Sequence, residues 1–261
     1  MEIAGKRALV TGAGKRLGRF IALSLADCGA DVVIHYRNSR EQAMMLRQDI
    51  FARGCHSWLS EHDLAEVEKT ESWFADIEKK TGGIDILINS ASEYAEIDYE
   101  SMNAEDLNRS MGIHVQSPLI MIRAMNRRMK EARQRGAVVN ILDSIPANPR
   151  HAAYHLGKIA LHGLTRDLAL RMARVLRINA VAPGKILPPG SEETMRFDPT
   201  ELPFDSGTSS IPTRAAGASN PLGLRGEPRD VSDAIIYLLR ADFVTGMVLH
   251  VDGGLHLKSD I

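Results

Sequence analysis

Short apolar runs alternate with longer stretches in which apolar residues return every three or four positions. The short runs read as strands at 7–11, 31–36, 56–60, 84–89, 137–142, 177–182 and 247–251. The periodic stretches read as helices at 15–28, 40–52, 64–80, 104–133, 152–173 and 228–240. The strands are continuous apolar runs rather than alternating ones, as expected where a sheet is covered on both faces. The rhythm predicts right-handed βαβ crossovers: an α/β chain whose parallel sheet carries helices on both faces. At 261 residues the chain can bury one large α/β domain or two small ones.

One segment breaks the rhythm. Residues 186–226 hold six of the eleven prolines, four glycines before Gly226 and a Ser/Thr cluster at 206–210. So long a stretch without periodicity is expected to be a substrate lid or a disordered tether. Met195, Phe197, Leu202 and Phe204 offer apolar surface with which a lid could close.

Charge narrows the function classes. Lys and Arg number 32 against 33 Asp and Glu, a net charge of −1, which argues against nucleic-acid or membrane-surface binding. No apolar run has the length of a membrane span, and the N-terminus enters the first strand with no signal-peptide core, so a cytoplasmic protein is expected. Cys28 and Cys55 have no metal-ligand spacing; neither a disulfide framework nor a metal site is expected.

Candidate chemistry starts at the first turn, Thr11-Gly-Ala-Gly-Lys-Arg-Leu-Gly18, between strand and helix. Glycines there let the backbone approach a pyrophosphate, with the helix N-terminus facing the anion. The second strand ends in Arg37, Asn38, Ser39 and Arg40 with no acid. An acid there would select the ribose hydroxyls of NAD, whereas cations suit a 2′-phosphate, so NADP(H) is the expected cofactor. Lys15 and Arg16 could add phosphate contacts. Further on, Tyr154 and Lys158 stand four residues apart on one helix face. An ammonium beside a phenol favours the phenolate and should lower the tyrosine pKa from about 10.

With these motifs in order, the chain resembles the short-chain dehydrogenase/reductases over nearly its whole length. The likeness rests on Thr11-Gly12 with Gly18, Asp63-Leu64, Asn89-x-Ala91, Tyr154-x-x-x-Lys158, Pro183-Gly184 and Val251-Asp-Gly-Gly254. It implies a single Rossmann-type domain over 1–261, with a doubly wound parallel seven-stranded sheet in the order 3-2-1-4-5-6-7. It implies that Asp63 touches the adenine, Asn89 lies along the cofactor and Lys158 holds the nicotinamide ribose. Leu17, Leu64, Ala91, Pro183 and Gly184 would supply further cofactor contacts, and Tyr154 would be catalytic. A homotetramer or homodimer packed through helices 104–133 and 152–173 is also implied.

Four positions depart from that family. Arg16 replaces a turn glycine, Ser92 follows Asn89-Ser-Ala, His114 stands where the helix asparagine falls, and Asp143 occupies the place of the active-site serine. A serine donates to an oxygen that gains charge during carbonyl reduction. An ionised Asp143 can only accept, and at about 3–4 Å it would repel that oxygen by several kcal/mol in a partly dry site. Asp143 suits instead a substrate with N–H donors and could exchange a proton with Tyr154. Alternatively Asp143 caps the following turn and Ser144 does the serine's work.

The departures are similar to the pteridine reductase branch. That likeness implies that Arg16 reaches cofactor phosphates and substrate, that Ser92 bonds to both, and that Tyr94 covers one face of a pterin. Tyr94 could equally be ordinary packing, and His114 either a water-holding residue or a satisfied core histidine. The expected activity is NADPH-dependent reduction of a small, pterin-like molecule; the alternatives are a carbonyl reductase of the 3-oxoacyl type and a catalytically idle NADP(H) sensor.

Overall fold

The computed structural model describes residues 1–144, 150–186 and 220–258. The lid expected over 186–226 therefore falls, beyond its two ends, outside the described residues. Among the described residues seven strands form one sheet: β1 (Arg7–Val10), β2 (Asp31–Tyr36), β3 (Ser57–Glu61), β4 (Ile86–Asn89), β5 (Gly136–Ile141), β6 (Leu176–Pro183) and β7 (Val248–Val251). Their spatial order is β3-β2-β1-β4-β5-β6-β7, and every pairing is parallel. The helices are α1 (Arg16–Asp27), α2 (Arg40–Phe51), α3 (Val67–Thr81), α4 (Ala104–Met111), α5 (Ser117–Glu131), α6 (Ala152–Met172) and α7 (Pro228–Arg240). The chain has a Rossmann-type doubly wound architecture.

Alternation along the strands divides the core in two. Ala8 and Val10 of β1, Ile86 and Ile88 of β4 and Val139 of β5 pack with Ile21 and Leu25 of α1, Leu46 of α2 and Ile235 and Leu238 of α7. Leu9, Leu87 and Val138, the residues between them, turn the other way onto Phe74 of α3, Met121 and Met125 of α5 and Leu168 of α6. Successive side chains of a strand point to opposite faces, so each strand is a shared wall, which accounts for its unbroken apolar sequence.

Three departures from the expected boundaries exceed a single residue. Strand β4 starts at Ile86 rather than at Ile84, and just ahead of it the Asp85 carboxylate accepts from the Arg7 backbone N–H (3.0 Å) and Nε (3.1 Å). Helix α3 starts later than Leu64, whose side chain goes into the core while the Asp63 carboxylate accepts from the Ala65 N–H at 3.0 Å. The helix read over 104–133 is two helices joined by a π-helical turn, Gly112–Gln116. Helix α4 opens on a capping box, with Asn103 Oδ1 accepting from Glu105 and Asp106 and Asp106 Oδ2 accepting from the Asn103 N–H.

The chain leaves β1 outward through β2 and β3, then returns to place β4 on the other side of β1. Ligands of open α/β sheets bind beyond the strand C-termini at such a switch. Among the described residues no helix is long and apolar enough to cross a membrane.

Candidate active site

The turn after β1 packs so closely on its neighbours that its glycines admit no side chain. Gly12 has φ +67°, and a Cβ on it would lie 2.9 Å from the Ala91 Cα. A Cβ on Gly18 would strike the Gly12 carbonyl, and one on Gly14 the Ser39 hydroxyl. Thr11 ties this turn to the one after β4: its Oγ1 accepts from the N–H groups of Ser90 (2.9 Å) and Ala91 (3.0 Å). The Gly12 N–H donates to His35 Nδ1 at 2.9 Å, and His35 Nε2 donates to the His62 carbonyl at 3.0 Å. His35 must be neutral to do both, in keeping with burial lowering its pKa to about 4. Arg16 takes a left-handed φ of +49°, costly for a residue with a side chain, and its side chain is exposed at the mouth of the turn.

Around the ends of β2, β3 and β4, Arg37, Asp63, Glu93 and Arg109 form one ion cluster. Arg37 Nη1 donates to Glu93 Oε2 at 2.7 Å and lies 3.9 Å from Asp63 Oδ2. Arg109 bridges the two acids, its Nη2 meeting Glu93 Oε2 at 2.8 Å and Asp63 Oδ2 at 3.2 Å. The Arg109 hydrogen bonds hold Glu93 below the usual carboxylate range. Burial would raise Asp63, but the Ala65 N–H and the two guanidiniums outweigh it and lower its pKa.

This end of the sheet suits a dinucleotide. The three glycines let the turn pack closely against Ser39, Ala91 and its own backbone, the second strand ends without an acid, and among the described residues Asn89 Oδ1 is buried with no partner. Asn89 Nδ2 is spent on Asn140 Oδ1 at 2.7 Å, and Asn140 Nδ2 reaches Thr165 Oγ1 at 2.9 Å. The remaining residues expected at the cofactor divide by role in the fold. Asn38 is exposed beside Arg37, Ser39 packs on Gly14, and Leu17 and Leu64 pack into the core, so what these two offer a ligand is backbone. Pro183 ends β6, and the Gly184 N–H donates to the Val251 carbonyl at 3.0 Å.

Asp143 and Tyr154 meet beyond β5. Tyr154 Oη donates to Asp143 Oδ2 at 2.6 Å, the short distance of a charge-assisted bond. Lys158, on the same face of α6, is buried and donates to the Ile141 carbonyl at 2.7 Å; its Nζ is 5.4 Å from the centre of the Tyr154 ring. The expected lowering of the Tyr154 pKa by Lys158 is therefore corrected. Burial first, then the Asp143 charge and hydrogen bond, push the tyrosine above its ordinary value. Burial lowers Lys158 to about 8 despite the opposing pull of Asp143. Ser144 faces away, donating to the Ala182 carbonyl at 2.7 Å and meeting His250 Nδ1 at 2.8 Å, so it does not stand in for the serine.

The loop after β4 closes over this pair. Ser92 Oγ meets His114 Nε2 at 3.0 Å, while His114 Nδ1 donates to the Ser110 carbonyl at 3.0 Å. With the Nδ1 proton committed, Nε2 accepts, and Ser92 is the donor. The Tyr94 ring stacks on His151 (3.6 Å, 23°) and meets Tyr154 edge-on (4.7 Å, 84°). Ser92, Tyr94, Tyr154 and Asp143 are thus brought together. Arg109 and the partnership of Glu93 were missed in the sequence. Glu93 lies 16 residues from Arg109 and Asp63 lies 46 away, and no local spacing signals either contact.

A His/Asp cluster not singled out in the sequence lies at the chain's end. His250, Asp252 and His256 bring one ligand atom each within 4.8 Å of one another. The Asp252 carboxylate already accepts from the Gly254 N–H (2.9 Å), the His256 N–H (2.9 Å) and His256 Nδ1, which closes the 3-10 turn Leu255–Lys258.

Residues 12–256 match the family model described as enoyl-(acyl carrier protein) reductase. The 3-oxoacyl-[acyl-carrier-protein] reductase FabG of Staphylococcus aureus is 28% identical over 257 residues, covering 97% of this chain and 98% of the relative. An uncharacterised oxidoreductase of Mycobacterium tuberculosis is 33% identical over 96% of this chain and 92% of its own. Among solved structures, FolM alternative dihydrofolate reductase 1 of Brucella canis, complexed with NADP, has a TM-score of 0.82 at 28% identity, covering 98% of this chain and 96% of that one. The chain belongs to the short-chain dehydrogenase/reductase family and is an oxidoreductase.

Proposed function

We propose that the chain is an NADPH-dependent reductase of a pterin-like substrate, taking a dihydropterin to a tetrahydropterin. The observation that carries this reading is the 2.6 Å hydrogen bond from Tyr154 to Asp143, a carboxylate where the family places a serine. When bound, the reduced nicotinamide supplies the hydride. The chain's own residues manage the proton. Tyr154 stays protonated at neutral pH, since both burial and Asp143 disfavour its phenolate. The proton of the Tyr154–Asp143 pair goes to the ring nitrogen beside the reduced carbon, and solvent restores it. Lys158, anchored on Ile141, keeps a positive charge near the phenol below pH about 8 and offsets the charge that builds as the proton leaves. Ser92 gives its hydrogen to His114 and so presents only lone pairs, which suits a substrate N–H. Tyr94 borders the same space with an aromatic face. The NADP-complexed FolM reductase is similar over nearly the whole chain, which favours both cofactor and substrate class.

The similarity to FabG favours a second reading, reduction of a ketone such as a 3-oxoacyl thioester. NADPH oxidation with dihydrobiopterin or dihydromonapterin, set against a 3-oxoacyl thioester, decides between them. Pterin turnover is expected, and Asp143→Ser should lower its kcat/KM by about tenfold or more while raising ketone turnover. Good ketone turnover with no pterin turnover by the natural protein would reject the pterin reading. Binding of NADPH with no turnover of either would favour the idle sensor.

A further inference from the structure

Arg37 is the cation offered to a 2′-phosphate, yet it is not waiting for one. Its Nη1 is held by Glu93 at 2.7 Å, and Glu93 has a second cation, Arg109, on both of its oxygens at 2.8–3.2 Å. Asp63 shares Arg109 at 3.2 Å. Two guanidiniums and two carboxylates thus make a neutral square at the ends of β2, β3 and β4. A phosphate brought to it meets two negative groups unless Arg37 changes partner. Glu93 can release Arg37 without being left alone, because Arg109 stays.

Glu93 also sits between two residues of the substrate side. Ser92 is bound to His114, and Tyr94 is stacked on His151 and set against Tyr154. On either side the loop is pinned, by Thr11 at Ser90 and Ala91 and by the Ala152 N–H at the Ile97 carbonyl (2.9 Å). The segment between these pins is short, so a change at Glu93 is felt by its neighbours.

We propose that Glu93 is a specificity-determining positioning residue that competes with the cofactor 2′-phosphate for Arg37. The exchange of Arg37 from carboxylate to phosphate is the step by which occupancy of the adenosine end resets Ser92 and Tyr94 over the Tyr154–Asp143 pair. The proposal rests on the assignment of NADP(H) to this end of the sheet. Glu93 thereby lowers NADPH affinity in exchange for coupling the two halves of the site.

The test is a binding cycle that needs no turnover. NADPH and NADH affinities are measured by calorimetry for the natural protein, Glu93→Gln, Arg37→Met and the double variant, with circular dichroism to certify folding. Glu93→Gln keeps the shape of the side chain and removes its charge. It should tighten NADPH about three- to fivefold, the upper scale of one half-exposed ion pair, and leave NADH within about twofold. In the Arg37→Met background the same change should move NADPH by less than about twofold. Amide exchange across residues 90–98 should respond to NADPH more than to NADH in the natural protein and equally to both in Glu93→Gln. A gain for NADPH that persists without Arg37, an equal gain for NADH, or an exchange response indifferent to Glu93 would each overturn the proposal. If Arg37→Met leaves the NADPH preference intact, the placement of the 2′-phosphate fails instead, and the proposal falls with it.

Discussion

Tyr154 and His114 are both pushed away from their charged forms, and for the same reason: each is buried beside a group of the wrong sign for ionisation. Tyr154 faces the Asp143 carboxylate; His114 is buried with Lys158 nearby, which lowers its pKa to about 3. The histidine has a consequence for stability. Between pH 6.5 and about 3 the unfolded chain binds a proton at His114 that the folded chain refuses, so stability is complete above this window and falls as pH drops through it. Replacing His114 by Asn should flatten the acid limb of a urea-stability profile by up to about 1.4 kcal/mol per pH unit. His35, lowered to about 4, keeps the rest of the slope in place. Tyr154 and Lys158 were legible in the sequence because a helix turns spacing into adjacency. The direction of the tyrosine shift was not, because it is set by the burial of the phenol and by the Asp143 carboxylate 2.6 Å away, neither of which helix spacing reveals.

Helix α6 carries Tyr154 and Lys158 and reaches its place through Gly157. A Cβ there would come within 2.8 Å of both His114 Nδ1 and Ser110 Oγ. Ser110 Oγ in turn donates to the Ala153 carbonyl at 2.6 Å, so α4 and α6 are in contact through hydrogen-bonding atoms with no room to retreat. Gly157→Ala should destabilise the fold by about 1–3 kcal/mol in urea titrations despite the better helix propensity of alanine. Its effect on kcat should exceed that of Gly163→Ala on the same helix, where nothing among the described residues lies within 4 Å of an added Cβ. The helices themselves were readable from periodicity. The π turn between α4 and α5 was not, since apolar positions recur on both sides of it and hide the extra residue.

The sheet order was legible only through the likeness of ordered motifs; periodicity alone supports several parallel arrangements. Once the order is in place, the division of the core follows from the strands. Leu87 is buried on the α3/α5 side of β4, two residues before Asn89. Leu87→Ala should cost about 2–5 kcal/mol in a urea titration while leaving cofactor affinity per folded molecule nearly unchanged, since the strand's ladder stays intact. The ion cluster of Arg37, Asp63, Glu93 and Arg109 was the part of the site hidden from the sequence. Its members come from the turns after β2, β3 and β4 and from α4, so only the assembled fold makes them neighbours.

The π turn at Gly112–Gln116 makes the site's polarity a matter of reading length. One residue more than an α-helical turn requires is stored there, and it presents His114 Nε2 to Ser92. Deleting one residue of this turn should regularise the helix and withdraw His114 from Ser92. Ser92 would then be left with an uncommitted proton, free to act as donor or acceptor. On the proposed reading, a preference for N–H groups is thus written in the count of residues rather than in their kinds.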